Sequence, residues 1–387
     1  MPTEPEAEPG PLRIRGGRVL DPGAGVDAVQ DVVIEGGVIR ESAPPHSVSE
    51  RVIDATGLIV VPGLVDHHVH VHTGISPFGV DADLHCLHRG VTTAVDAGSA
   101  GARTYDDFAH RIIETSETDL VAFLNISAVG LSRDGGELTD PRWLEADRAV
   151  ATATAHPDRI IGIKIRMGAR SAGAPDEPHA LRTAKAVARQ AGIPLMAHIS
   201  APSLPLEETV GVLTERDVIT HCYHGKQGGI LDEHGRVLPF VRAAVERGVR
   251  LDVGHGRSGF SFEVARRAIA DGIVPHHISS DIHTKNVEGP AYDLITTVSK
   301  LIHVGLPLEE ALHAATRNPA TSIGRGDTIG TLAAGTPADI TVLENVAGKW
   351  NLEASSGGRE TLEHLLVPRW VVKDGRPIRL EPSIHER

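Results

Sequence analysis

At 387 residues and 41% apolar, the chain can bury one large core or two modest ones, and its net charge of −13 without a basic cluster excludes a nucleic-acid or anionic-lipid surface. No run of about 18 apolar residues offers a membrane span, and Met1 to Gly10 is acidic and Pro-rich where a secretion signal would be basic and then apolar, so the expected location is cytoplasmic. Cys86 and Cys222 stand far apart and make neither a disulfide framework nor a Cys-ligated zinc site.

Residues 1–10 carry almost nothing to bury and are expected to form a disordered tail. From Leu12 the pattern changes to short alternating runs, Leu12 to Leu20, Val29 to Glu35 and Val38 to Glu41, broken by the turn signals Asp21-Pro22-Gly23 and Gly36-Gly37. These strands are too few to close a core. Their expected partners lie at the far end, in Ala338 to Leu343 and Val367 to Val372, so residues 11–60 and 328–387 together should build one β-sandwich.

Residues 61–327 alternate apolar runs with helix-like segments. The expected strands are Leu58 to His70, Val91 to Asp96, Val121 to Ser127, Ile160 to Arg166, Pro194 to Ser200, Asp217 to His221, Val249 to Val253 and His277 to Asp281. Stretches such as Ala180 to Ala191 and Pro239 to Arg247 space their apolar residues as helices do. The fold class is therefore α/β, a TIM-type (β/α)8 barrel whose active site lies at the C-terminal strand ends. An open doubly wound sheet fits less well, since no G-x-G-x-x-G follows an early strand.

The polar residues closing those strands carry the chemistry. In Val60-Val61-Pro62-Gly63-Leu64-Val65-Asp66-His67-His68-Val69-His70, strand parity puts His68 and His70 on one side and turns His67 away. Neutral imidazole is the usual ligand for zinc and its first-row neighbours. Lys164 on the fourth strand, His198 ending the fifth, His221 ending the sixth and Asp281 ending the eighth fall at the same face. Lysine is scarce, at 7 of 38 basic residues, which makes a strand-borne Lys164 conspicuous.

Taken together, Pro62 to His70, Gly90-Val91-Thr92-Thr93, Thr220-His221-Cys222, Ser280-Asp281 and Gly330-Thr331-Leu332 through Ala338-Asp339 resemble the amidohydrolase superfamily over nearly the whole chain. Gly162 to Arg166, Met196 to Ile199, His221 with Gly225-Lys226, and Val95 to Gly101 resemble its dihydroorotase-like branch, which includes deacetylases acting on N-acyl or O-acyl groups. That resemblance implies two divalent metal ions, zinc by expectation, bridged by a carboxylated Lys164. One ion would also be bound by His68, His70 and Asp281, the other by His198 and His221. A metal-bridging hydroxide would attack the acyl carbonyl, with Asp281 as the general base.

The substrate expected is a small acyl amide or acyl ester bearing a carboxylate. Arg166 shares the parity of Lys164 and lies nearer the mouth, where its guanidinium would clamp that carboxylate, or else pair with Asp176 or Glu177. His255 and His283 are further candidate substrate contacts, and Cys222 reads as a wall residue. Two residues past the H-x-H pair this chain has His72, where dihydroorotases usually carry Arg. The alternatives are a cyclic amide hydrolase of the dihydroorotase or hydantoinase kind and a metal-free barrel acting as a binding protein. The expected partner is a small-molecule substrate, with no nucleic acid and no membrane; homo-oligomerisation is left open.

Overall fold

The computed structural model describes residues 10–41, 50–168, 173–200, 203–355 and 357–386, so all but the last residue of the expected tail lies outside the described residues. Among the described residues, fifteen strands sort into two sheets. The first eight-stranded sheet takes β1 (Leu12–Asp21), β2 (Val26–Glu35), β3 (Val38–Arg40), β4 (Arg51–Asp54) and β5 (Ile59–Pro62) from one end of the chain. From the other end it takes β13 (Ile340–Glu353), β14 (Arg359–Lys373) and β15 (Arg376–Arg379). The two ends meet at β5, which pairs with β1 in parallel and with β13 antiparallel. Its own small core includes Leu12, Ile14, Ile34, Val60, Ile340 and Val342.

The second sheet is parallel and strictly sequential, from β6 (Leu64–Val69) through β7 (Val91–Gly101), β8 (Asp119–Asn125), β9 (Ile160–Arg166), β10 (Leu195–His198) and β11 (Val218–Thr220) to β12 (Arg250–Asp252). This is the expected barrel with seven strands rather than eight. The segment from His276 to Ile282 spans the gap between β12 and β6 without becoming a strand. It is held by two isolated parallel bridges, Asp252 to His277 and Val69 to Ile282. A ladder cannot continue through it because Asp281 sits at φ 48°, in the left-handed region. Ser280 N donates to the Asp66 carboxylate instead of to a strand carbonyl.

The single strand expected from Leu58 to His70 is two strands in different sheets. The break falls at Gly63, whose N–H donates to Asp339 O at 2.8 Å. A Cβ there would lie 2.2 Å from Thr92 Oγ1, so no other residue fits the crossing from one sheet to the other. The helices form where period and caps agree. Asp176 accepts from His179 N and starts Glu177–Ala191, whose Ala180, Leu181, Ala184, Val187 and Ala188 face the barrel, and Gly192 at φ 72° ends it. The helix Leu294–His303 is buried from Leu294 to Leu301, wedged between the barrel and β14.

Candidate active site

His68 and His70, at and just past the end of β6, are both buried, and each uses one ring nitrogen to fix its orientation. His68 Nδ1 lies 2.8 Å from Thr220 Oγ1 and 3.3 Å from Asp252 Oδ2; His70 Nδ1 lies 2.9 Å from Ser99 Oγ. Both Nε2 atoms therefore face the cavity, where Asp281 Oδ1 stands 3.4 Å from the first and 3.1 Å from the second. His221 repeats the arrangement, with Nδ1 2.6 Å from Gly254 O. The His198 ring stands edge-on to it at 4.3 Å between centroids. Such outer partners hold a ligand ring in one tautomer and one direction.

The backbone at this site is unusual. His221 and Asp281 have φ of 67° and 48°, a conformation sparsely used by residues other than glycine. A Cβ on Gly256 would come within 2.1 Å of Asp281 Oδ2, so the chain behind that carboxylate approaches as closely as only glycine allows.

Burial shapes the titration of the whole cluster. It pushes His70 and His221 down to about 4, and His68 and His198 well below the ordinary histidine value, so all four are neutral at pH 7. Lys164 is 3% exposed, and burial lowers it from 10.5 to about 8. Its Nζ meets His68 Nε2 at 3.4 Å and Met196 Sδ at 3.2 Å, and among the described residues no carboxylate pairs with it. Asp252, which receives Thr220 Oγ1 and Ser279 Oγ at 2.6 Å each, is raised to about 6 by its burial. Neutral imidazoles with inward nitrogens and a carboxylate are the donor set that a first-row divalent ion requires. Ligand atoms of His68, His221 and Asp281 lie within 4.8 Å of one another. The residues present thus fit a metal.

A second group of similar composition does not. His67 turns away from this cavity, as parity requires, and joins His277 and Asp252. Its ring stacks on His277 at 3.8 Å and 19° from parallel. A metal lies in the plane of each imidazole that binds it, and two near-parallel planes at stacking distance cannot share one ion.

The cavity encloses about 240 Å³ and brings together His68, His70, Lys164, His198, His221 and Asp281, all expected at one face. Arg166 and His283 also line it. Arg166 pairs with neither Asp176 nor Glu177; its Nε and Nη2 meet the two carboxylate oxygens of fully buried Glu137 at 2.6 Å each. Glu177 instead accepts from Gly168 N and Ser203 N. His255 is a correction. It is fully buried behind the cavity wall, with Nε2 3.0 Å from Lys300 Nζ and Nδ1 3.0 Å from Gly256 O, and a ring so occupied cannot meet substrate. His72 likewise turns outward, onto Asp107 at 2.9 Å. Sequence reasoning missed the supports Thr220, Ser99 and Asp252, although Thr220 precedes His221 and Asp252 closes β12. It also missed Glu137 and Arg257, which lie in loops where no period predicts a direction.

The chain is similar to known proteins along most of its length. The family described as Amidohydrolase family matches residues 59–373. A protein named deacetylase from Agrobacterium fabrum is 36% identical over 322 residues, covering 83% of this chain and 79% of that one. Another protein named deacetylase, from Brucella anthropi, is 34% identical over 352 residues, covering 89% and 87%. The crystal structure of a dihydroorotase superposes with a TM-score of 0.88 at 34% identity, covering 97% of this chain and 100% of that one.

Proposed function

Because the chain belongs to the amidohydrolase family, and is a hydrolase of C–N or ester bonds, we propose that it removes the acyl group from a small acyl amide or acyl ester that bears an anionic group. The observation that carries this reading is the convergence of four neutral histidines, a buried lysine and Asp281 on one small cavity. At about 240 Å³ it falls below the roughly 300–1,000 Å³ of drug-sized sites, which suits a small substrate. The relatives named deacetylases at 34–36% identity favour an acyl group over a ring amide. So does His72, which offers no cation to the cavity where the expected dihydroorotase arginine would stand.

His68, His70 and Asp281 would hold one divalent ion, zinc by expectation, and His198 and His221 a second, with Lys164 between them as a carbamate. A metal bound there would supply Lewis acidity toward an acyl carbonyl and toward the nucleophilic water at neutral pH. Lys164 suits carboxylation because burial among imidazoles and a thioether favours its neutral amine, the form that takes up carbon dioxide. Asp281, braced by Gly256 behind it and by Asn286 Nδ2 on its own carbonyl at 2.7 Å, is placed to accept the proton of the attacking water. It then returns that proton to the leaving nitrogen or oxygen. Thr220, Asp252 and Ser99 keep the ligand nitrogens turned inward. His283 on the cavity wall, lowered to about 4 by burial, offers a neutral imidazole to the substrate.

The test combines metal analysis of the purified protein with a screen of N-acetyl amino acids and O-acetyl hydroxy acids of both hands, run beside dihydroorotate and hydantoins. Turnover of the acyl compounds with about two ions per chain supports the reading. Turnover confined to the cyclic compounds would replace it with a cyclic amide hydrolase, the alternative that the structural likeness to a dihydroorotase keeps in view. A metal-free, inactive protein would leave a binding barrel.

A further inference from the structure

Besides Lys164, three cationic side chains among the described residues line the cavity, and two of them are already matched. Arg166 is paired with Glu137, and Lys285 Nζ lies 2.6 Å from Asp134 Oδ2. Arg257 is exposed, and among the described residues it has no ion pair and no hydrogen bond. In a chain of net charge −13, an unmatched guanidinium opening onto a reaction cavity is the point to which an anion is drawn.

The backbone on both sides of Arg257 is pinned. Gly256 N donates to Ser280 O at 2.9 Å and Gly259 N to His255 O at 3.0 Å. Ser355 Oγ reaches His255 O at 2.8 Å and Gly256 O at 3.0 Å. Behind them Lys300 Nζ holds the His255 ring and the carbonyls of Pro290 and Glu353. The arginine is therefore carried on a rigid support, which lowers the entropy lost when it grips a ligand. That support abuts Asp281 at Gly256, so Arg257 leaves the main chain one residue from the point of contact with the proposed base.

We propose that Arg257 is the anion clamp of this site, and that the anionic group it takes is a carboxylate on the leaving half of the substrate, close to the scissile bond, as in an N-acyl amino acid or an O-acyl hydroxy acid. This rests on the deacylation reading above and reassigns to Arg257 the contact expected of Arg166. A guanidinium binds a carboxylate through two parallel N–H···O bonds, which a neutral amide cannot match.

The test compares the metal-loaded wild type with Arg257→Met and Arg257→Lys on N-acetylalanine of each hand, on O-acetyl-lactate and on the corresponding primary amides. Loss of a charge-assisted paired contact should lower kcat/KM on the acids about 100-fold or more, chiefly through KM, while the amides change little and Arg257→Lys recovers part of the loss. Equal losses on acids and amides, or none on either, overturn the assignment. Calorimetric titration of N-acetylalanine and its amide needs no turnover and separates the two readings. If no acyl compound is hydrolysed yet the acid binds more tightly than the amide only when Arg257 is present, deacylation fails and the clamp stands. If acid and amide bind the wild type equally, the clamp fails whatever the reaction.

Discussion

Replacing Lys164 by Met separates what the amine costs the fold from what it gives the site. With Lys164 buried, the drop from 10.5 to about 8 corresponds to about 3 kcal/mol against the ammonium in the folded chain. The unfolded chain binds that proton more tightly, so the penalty is complete below about pH 8 and fades as pH rises from there to the unfolded value near 10.5. Metal-free protein should therefore gain stability across that window. Lys164→Met keeps an unbranched side chain beside Met196 and removes the penalty. For 387 residues, 3 kcal/mol raises Tm by about 4 °C at pH 7, and the gain should vanish near pH 10.5. Added divalent ion with bicarbonate should reverse the order, raising Tm and activity in the wild type and neither in the variant. Thermal melts in chelator at pH 7 and 10.5, then with metal, read both effects. Identical metal-free melts at pH 7 would refute the burial argument, and turnover by the variant would refute the bridging role.

Asp281→Asn should keep the fold and much of the metal while kcat falls by about 10²–10⁴-fold, measured by steady-state kinetics beside metal content. Gly98 stands at φ +90° with the position of a Cβ 2.8 Å from Lys164 Cβ and Cγ, so Gly98→Ala should cost more than about 1 kcal/mol in thermal melts and displace the lysine, abolishing activity. Gly192→Ala, at φ +72° with open space around it, is the control that strains a helix end and spares turnover. Arg166→Met leaves the Glu137 carboxylate buried without its arginine; it should cost about 3–5 kcal/mol in denaturant melts and lower kcat/KM equally on acidic and amide substrates.

What the sequence made legible follows from which forces are local. The parity of a strand carried His68, His70 and Lys164 to one cavity, because β6 and β9 are extended and buried on both faces. Parity reaches one residue past β6, to His70, and gives no direction in the loops further on. His255 follows the seventh strand, but Lys300, from a helix 45 residues further on, takes its ring and holds it out of the cavity. Asp281 reaches the expected face by another route, since a left-handed residue and side-chain hydrogen bonds, rather than an eighth strand, deliver it there. Arg166 pairs with Glu137, 29 residues before it, rather than with the nearby Asp176 or Glu177. Each of these depends on a contact that no local pattern encodes.

The meeting of the two chain ends at β5 has a consequence for synthesis. Leu64 N and Thr341 Oγ1, which join the barrel to the terminal sheet, are 277 residues apart. At roughly 5–20 residues per second, the edge of β5 waits on the order of tens of seconds for β13 to leave the ribosome. Throughout that time Ile59, Val60 and Val61 present an apolar, half-paired strand of the sort that recruits a wrong partner. The nascent chain is thus most prone to aggregate before its last strands exist, and chaperone demand should be set by β13 more than by the barrel.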